Sequence, residues 1–190
     1  MTELWCVRWT RPLTAGEEEE LTALLPPQRR ERLAKTEEAR TQALCAYGLL
    51  RLALGEEGLP AIALGERGKP FFPERPDLHF SLSHTEGTAL VGLSDRPIGV
   101  DIEKLRPLPP RVQAAFGGDI WRWTALEAQS KRSGRGVGEF LHKIEEGPGA
   151  VALDVGEGYA ASAACEGPVS LRFCALEDIL PRSEERRVGK

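Results

Sequence analysis

Apolar and polar residues alternate from Leu4 to Trp9, and the period of two predicts a first strand. Pro12 breaks it, and the acidic run Glu17 to Glu20 opens a helix. Acid in a first helical turn suits the helix dipole, so this run is expected to be a capped, solvated helix start. After Pro26-Pro27, residues Gln28 to Leu54 read as one helix whose core stripe is Leu44, Tyr47, Leu50 and Leu54. Gly55, Gly58 and Pro60 end it, and Gly65 to Pro76 is loop-rich. Two strand-like runs follow, Leu78 to Ser83 and Ala89 to Ser94, joined by a turn at His84-Thr85-Glu86-Gly87. Asp95-Arg96-Pro97 turns into a strand over Ile98 to Glu103. A proline-rich loop (Pro107, Pro109, Pro110) leads to the apolar piece Val112 to Phe116, which Gly117-Gly118 interrupts. Trp121 to Ser133 reads as a helix stopped by Gly134 and Gly136. Strand-like pieces at Ala150 to Val155, Tyr159 to Cys165 and Val169 to Cys174 precede a short turn over Leu176 to Leu180.

Each half of the chain runs helix, then strands. That order predicts an α/β (α+β) protein of two similar subdomains packed face to face, 1–97 and 98–181. Residues 182–190 are charged, lack apolar anchors and read as a disordered tail, or as residues foreign to the protein.

The 190 residues are 41% hydrophobic and 28% charged, enough for a packed core and against global disorder. A net charge of -4 argues against nucleic-acid binding through overall charge. No apolar run is long enough to span a membrane, and the first residues lack a secretory leader pattern. The four cysteines, Cys6, Cys45, Cys165 and Cys174, are scattered without a C-x-x-C pair, so reduced cytoplasmic thiols are the expectation.

Within Gly99 to Glu103 (G-V-D-I-E), strand alternation puts Asp101 and Glu103 on one face and Val100 and Ile102 on the other. Two neighbouring carboxylates repel and suit a hard cation such as Mg²⁺; a solvated strand edge accounts for them equally well. Glu127 and Lys131 share one helix face. They read either as an ordinary ion pair or as one acid and one base at a site, where Glu127 completes a three-carboxylate set. In F-S-L-S-H, Phe80 and Leu82 share one face, Ser81 and Ser83 the other, and His84 sits at the turn, suiting either phosphate binding or a plain hairpin. A Ser83-His84-Asp101 hydrolase triad is discounted, because adjacent strand residues point apart and no nucleophile elbow exists. Lys69 lies in a stiff G-K-P turn that is not a P-loop. Arg29, Arg30, Arg32, Lys35 and Arg40 make the early helix basic, which suits an anionic ligand, an acidic partner or a solvated face. His79 and His142 have no partner pattern.

The order G-K-P, F-S-L-S-H, G-V-D-I-E, W-T-x-x-E-A-x-x-K over Gly68 to Lys131 resembles the Sfp-type 4′-phosphopantetheinyl transferases. The early helix ending Gly48-Leu49-Leu50-Arg51 and the late strand Tyr159 to Ala163 are similar too, less specifically. The resemblance implies two pseudo-twofold-related halves, each a small antiparallel sheet with a packed helix, with coenzyme A between them. It implies Mg²⁺-dependent transfer of phosphopantetheine from coenzyme A to a serine of an acyl, peptidyl or polyketide carrier protein, releasing 3′,5′-ADP. By motif, Asp101, Glu103 and Glu127 would hold Mg²⁺ on the pyrophosphate. Lys69, Pro70, Ser83 and His84 would bind coenzyme A, and Lys131 would neutralise charge on the diphosphate. Glu127, or a water on the metal, would take the serine proton. A site contained within one two-halved chain implies a monomer.

Three positions depart from the family pattern. Leu126 stands where a lysine is common, the segment from Glu103 to Trp123 is short, and Gln42 stands where a basic residue near the adenosine 3′-phosphate is expected. The shortened segment favours a second hypothesis, a member that binds coenzyme A or carrier without turnover. A third is an unrelated Mg²⁺-dependent phosphohydrolase using the same acids.

Overall fold

A computed structural model describes residues 2–31, 33–107, 110–116, 119–136 and 149–181. The expectations for Pro109, Gly117-Gly118, His142 and the 182–190 tail fall outside those residues. The arrangement is mixed α+β. Strand β1 (Thr2–Arg8) is followed by helices α1 (Ala15–Leu24), α2 (Pro27–Arg30) and α3 (Glu37–Leu54). A two-stranded hairpin, β2 (Ala63–Leu64) and β3 (Pro70–Phe71), leads to β4 (His79–Thr85), β5 (Thr88–Ser94) and β6 (Gly99–Lys104). Then come α4 (Pro110–Phe116), α5 (Ile120–Ser133), β7 (Val151–Ala152), β8 (Tyr159–Ala164), β9 (Val169–Cys174) and α6 (Leu176–Ile179).

The strands form a four-stranded sheet in the order β4-β5-β1-β9 and a three-stranded sheet in the order β6-β8-β7, beside the β2-β3 hairpin. Alternation along β1 divides the first sheet's faces. Val7 lies in one core with Leu44, Leu49 and Leu50 of α3. Leu4 and Cys6 lie in a second core with Val100 and Ile102 of β6 and Ala161 and Ala163 of β8. β5 is buried along its whole length because it serves both cores. Gly92 makes the close approach of the sheets feasible: a Cβ there would lie 2.6 Å from Ile98 Cδ1.

Three expectations change. The helix expected over Gln28 to Leu54 is two helices, because Thr36 is extended and Glu37-Glu38 form the favourable acidic first turn of a new helix. Glu17 is not solvated: it is buried, closes a capping box with Thr14 and pairs with Arg11. The first sheet is not wholly antiparallel, since β9 lies parallel to β1 with Leu4 beside Leu171. β9 thus returns to the first sheet, and Leu176 and Ile179 of α6 join the α3 core.

The edges of the two sheets meet without a strand ladder. β4 ends one sheet and β6 the other. The Val100 N–H donates to Ser81 Oγ at 3.0 Å, and the Ile102 N–H donates to Ser83 Oγ at 3.2 Å. Serine side chains therefore satisfy the backbone of an otherwise open edge.

Candidate active site

The alternation that buries Val100 and Ile102 turns Asp101 and Glu103 toward α5. That helix is capped at its start by Asp119, whose carboxylate accepts from the Trp121 and Arg122 N–H groups, and ends at Gly134 with a left-handed φ of 70°. It seats directly on β6 because residue 99 has no side chain: a Cβ there would fall 1.9 Å from the Ala128 carbonyl oxygen. Thr124 Oγ1 and Ser162 Oγ, 2.9 Å apart, fix the same helix to β8. Glu127 and Lys131 are thereby brought beside β6.

Asp101 is buried at 4% exposure. Its Oδ1 accepts from Ser83 Oγ at 2.8 Å and from Lys131 Nζ at 2.7 Å. Its Oδ2 is buried with no hydrogen-bond partner among the described residues. The pKa of Glu103 is pushed up, first by burial and then by the Asp101 charge, against the opposing Arg106 guanidinium and a Trp123 hydrogen bond. Glu127 is pushed up by burial and by the charges of Asp101 and Glu103, with Lys131 opposing. Glu103 thus senses the charge of Asp101, and Glu127 senses those of Asp101 and Glu103. Yet among the described residues no group of three His, Cys, Asp or Glu side chains stands close enough to hold a metal ion as arranged. Lys131 has its short ion pair with Asp101 rather than with Glu127, the partner that one of the two readings of the helix spacing gave it.

Ser83 is buried against Asp101. Lys69 reaches inward, its Nζ donating to the Ile98 carbonyl at 3.2 Å and the Arg132 carbonyl at 2.7 Å. Burial, then the Arg132 charge, lowers its pKa to about 8. Pro70 pairs with Leu64 in the β2-β3 hairpin. His84 is exposed and its Nδ1 lies 3.2 Å from Gln42 Oε1. Crowding by the surrounding protein, then the Lys131 charge, pushes its pKa down although the ring retains solvent access. Two cavities flank Lys131: one of about 200 Å³ lined by Ala43, Ala46, Tyr47 and His84, the other of about 250 Å³ lined by Gly68, Lys69, Pro70 and Gly134. Lys69, Pro70, Ser83, His84 and Lys131 all border one of the two.

Sequence reasoning missed three features here. Gln42 contacts His84; Tyr47, read as core, lines a cavity; and Ser83 holds Asp101. For Tyr47 a polar tip on an otherwise aliphatic stripe was the available signal.

A 4′-phosphopantetheinyl transferase from Bacillus subtilis is 33% identical to the chain over 122 residues, covering 55% of this chain and 50% of that protein. Over 55–60% of its length the chain is similar to Sfp-like 4′-phosphopantetheinyl transferases. The 4′-phosphopantetheinyl transferase Sfp of Bacillus subtilis (strain 168) is 26% identical over 121 residues, covering 60% of this chain and 54% of that one. A third relative from Bacillus subtilis, 4′-phosphopantetheinyl transferase ffp, is 27% identical over 121 residues, with the same coverage. The chain spans about half the length of the curated relatives it matches. No protein-family model matches the chain. Among the described residues no helix is long and apolar enough to cross a membrane.

Proposed function

We propose that the protein transfers 4′-phosphopantetheine from coenzyme A to a serine of an acyl, peptidyl or polyketide carrier protein, with Mg²⁺, and releases 3′,5′-ADP. Its two halves would be the family's pseudo-twofold pair, divided near 97/98 apart from β9 and α6, which join the first half, and acting as a cytoplasmic monomer. The observation that carries the proposal is the buried Asp101 with one oxygen satisfied and the other orphaned, beside two acids whose pKa values are pushed up. A buried carboxylate oxygen without a donor is costly, and a hard cation is the natural partner for a set of carboxylates. Asp101, Glu103 and Glu127 would hold Mg²⁺. Bound there, the ion would supply Lewis-acid polarisation and charge neutralisation on the diphosphate.

The chain's own residues account for the rest. The carrier serine oxygen attacks the phosphorus bearing the pantetheine arm; the new P–O bond forms as the bond to the leaving 3′,5′-ADP oxygen breaks. The serine proton would pass to Glu127 as general base, or to a water held at the metal site. Lys131 offsets charge building on the leaving diphosphate, and Lys69, Pro70 and His84 border the space for the donor.

A specific observation favours a second reading, binding without turnover. Lys131 is already engaged with Asp101 and Lys69 with two backbone carbonyls, so two cations assigned to phosphate have other partners. The intact mass of an apo carrier protein, after incubation with this protein, coenzyme A and Mg²⁺, separates the two. Transfer adds about 340 Da and stops when the metal is chelated. No gain across several acyl and peptidyl carriers, with coenzyme A bound by folded protein, leaves the binder. Phosphate released from nucleotides without a carrier points to the hydrolase instead.

A further inference from the structure

We infer that Ser83 is a positioning residue for Asp101 rather than a ligand of the donor's phosphates. This rests on the proposed function, in which Asp101 holds the cation. A serine hydroxyl has one hydrogen to give and two lone pairs. The Ser83 hydrogen goes to Asp101 Oδ1 at 2.8 Å, and one lone pair accepts the Ile102 N–H at 3.2 Å. What remains is an acceptor, and a phosphate oxygen is an acceptor as well. A phosphate contact would require Ser83 to release Asp101, at a site only 7% exposed.

Ser81 supplies the internal comparison. It lies on the same face of β4 and accepts the Val100 N–H at 3.0 Å, so it makes the same joint between the sheets. The joint needs only an acceptor. Ser83 adds a donor, and that donor is spent on a carboxylate. With Lys131 Nζ at 2.7 Å on the same oxygen, Oδ1 carries two donors while Oδ2 carries none. Two donors on one oxygen fix the rotation of the carboxylate and leave Oδ2 without a protein donor among the described residues. Partners that orient a metal-binding side chain in this way are worth about 10- to 100-fold in metal affinity.

The test uses the whole protein and Mn²⁺ as a paramagnetic stand-in, followed by electron paramagnetic resonance. Ser83→Ala is expected to weaken Mn²⁺ binding roughly 10-fold and to raise the Mg²⁺ concentration for half-maximal transfer by a similar factor. Its affinity for coenzyme A measured without metal stays within about twofold of the parent. Ser83→Thr, which keeps the hydroxyl, restores Mn²⁺ binding. Ser81→Ala lowers Tm through the lost joint but leaves Mn²⁺ affinity unchanged. Ser83→Cys keeps a weak donor and moves Mn²⁺ binding in the same direction by less, which reads the inference should the alanine variant not fold. The inference is overturned if Ser83→Ala weakens metal-free coenzyme A binding with Mn²⁺ affinity intact, which makes Ser83 a phosphate ligand. It is also overturned if the two alanine variants match in every readout, which makes both serines structural. Failure of the underlying function is distinguishable: the parent then binds no Mn²⁺, or Asp101→Ala binds it as well as the parent does.

Discussion

Two acidic regions of the molecule contrast. At the start of α1, Glu17 accepts from Arg11 Nη1 at 2.7 Å, from Arg11 Nη2 at 2.8 Å and from the Thr14 N–H at 2.8 Å. The Arg11 guanidinium, foremost, holds its pKa down at about 2. Beside β6, Glu103 and Glu127 are pushed up and one oxygen of buried Asp101 has no hydrogen-bond partner among the described residues. Along the chain the first region is the denser, with four consecutive glutamates. In space it is the quieter, because Arg11, Thr14 and the helix N-terminus compensate the one acid that is buried. Acids that the fold compensates locally stabilise it. Acids that the fold gathers with only partial compensation are the ones proposed to meet a ligand.

The contrast breaks first at Asp101. Asp101→Asn keeps the shape of the side chain and removes the charge. We expect transfer to fall roughly 10²- to 10³-fold, the usual scale for losing a preorganised electrostatic group in a reacting centre. Mass spectrometry of the carrier over time gives the rate. Full Mg²⁺-dependent transfer by this variant would return the β6 acids to the structural class that Glu17 exemplifies.

Glu17→Gln is the converse and carries the next largest effect. Activity is expected to hold while stability drops by about 1–2 kcal/mol, the scale of a cap and a charged hydrogen bond. For a chain of this size that is about 3–6 °C in Tm. The pH dependence has a definite sign. The folded-state pKa lies below the ordinary glutamate value of 4.5, so the contribution of Glu17 is fully present above pH 4.5 and is lost as pH falls toward about 2. Thermal melts of parent and variant should therefore differ at neutral pH and converge in acid. A constant difference down to pH 2 would show that the ion pair contributes nothing.

Much of this was legible in the sequence because it is local. β4, β5, β6, β8 and β9 lie within two residues of the strands that alternation predicts, and α5 begins one residue before the expected start and stops at the glycine expected to stop it. Strand alternation also sorted Val100 and Ile102, which join the second core, from Asp101 and Glu103, although Asp101 is itself buried. The features that escaped are non-local. Nothing in the period of β9 says that it will lie parallel to β1, more than 160 residues away. A serine that replaces a ladder hydrogen bond has the same strand pattern as a serine facing water, so the joint through Ser81 and Ser83 carried no signal in the letters. The break between α2 and α3 escaped because the stripe from Leu44 to Leu54 is strong, and its periodicity was extended backward past Thr36. Glu17 escaped because Arg11, its partner, precedes the helix and is not on its face.

Glu127→Gln has the smallest effect on stability and probes the contrast from the side of the uncompensated acids. A carboxyl with a raised folded-state pKa favours the fold below its unfolded value of 4.5, and that contribution is lost as pH rises through the raised value. At neutral pH the charge of Glu127 therefore costs stability, and removing it should raise Tm by about 1–3 °C. This is the opposite sign to Glu17→Gln, in the same assay and the same buffer. A bound divalent cation should relieve the same cost. At ten times its Kd it contributes about 1.4 kcal/mol to the parent. The Mg²⁺-induced rise in Tm should be larger at pH 7 than at pH 4.5, because protonation competes with the ion for these carboxylates. In Glu127→Gln that rise should shrink together with its pH dependence. A variant less stable than the parent at pH 7, with an unchanged response to Mg²⁺, would mean that Glu127 is compensated as Glu17 is, and the distinction between the two acidic regions would rest on Asp101 and Glu103 alone.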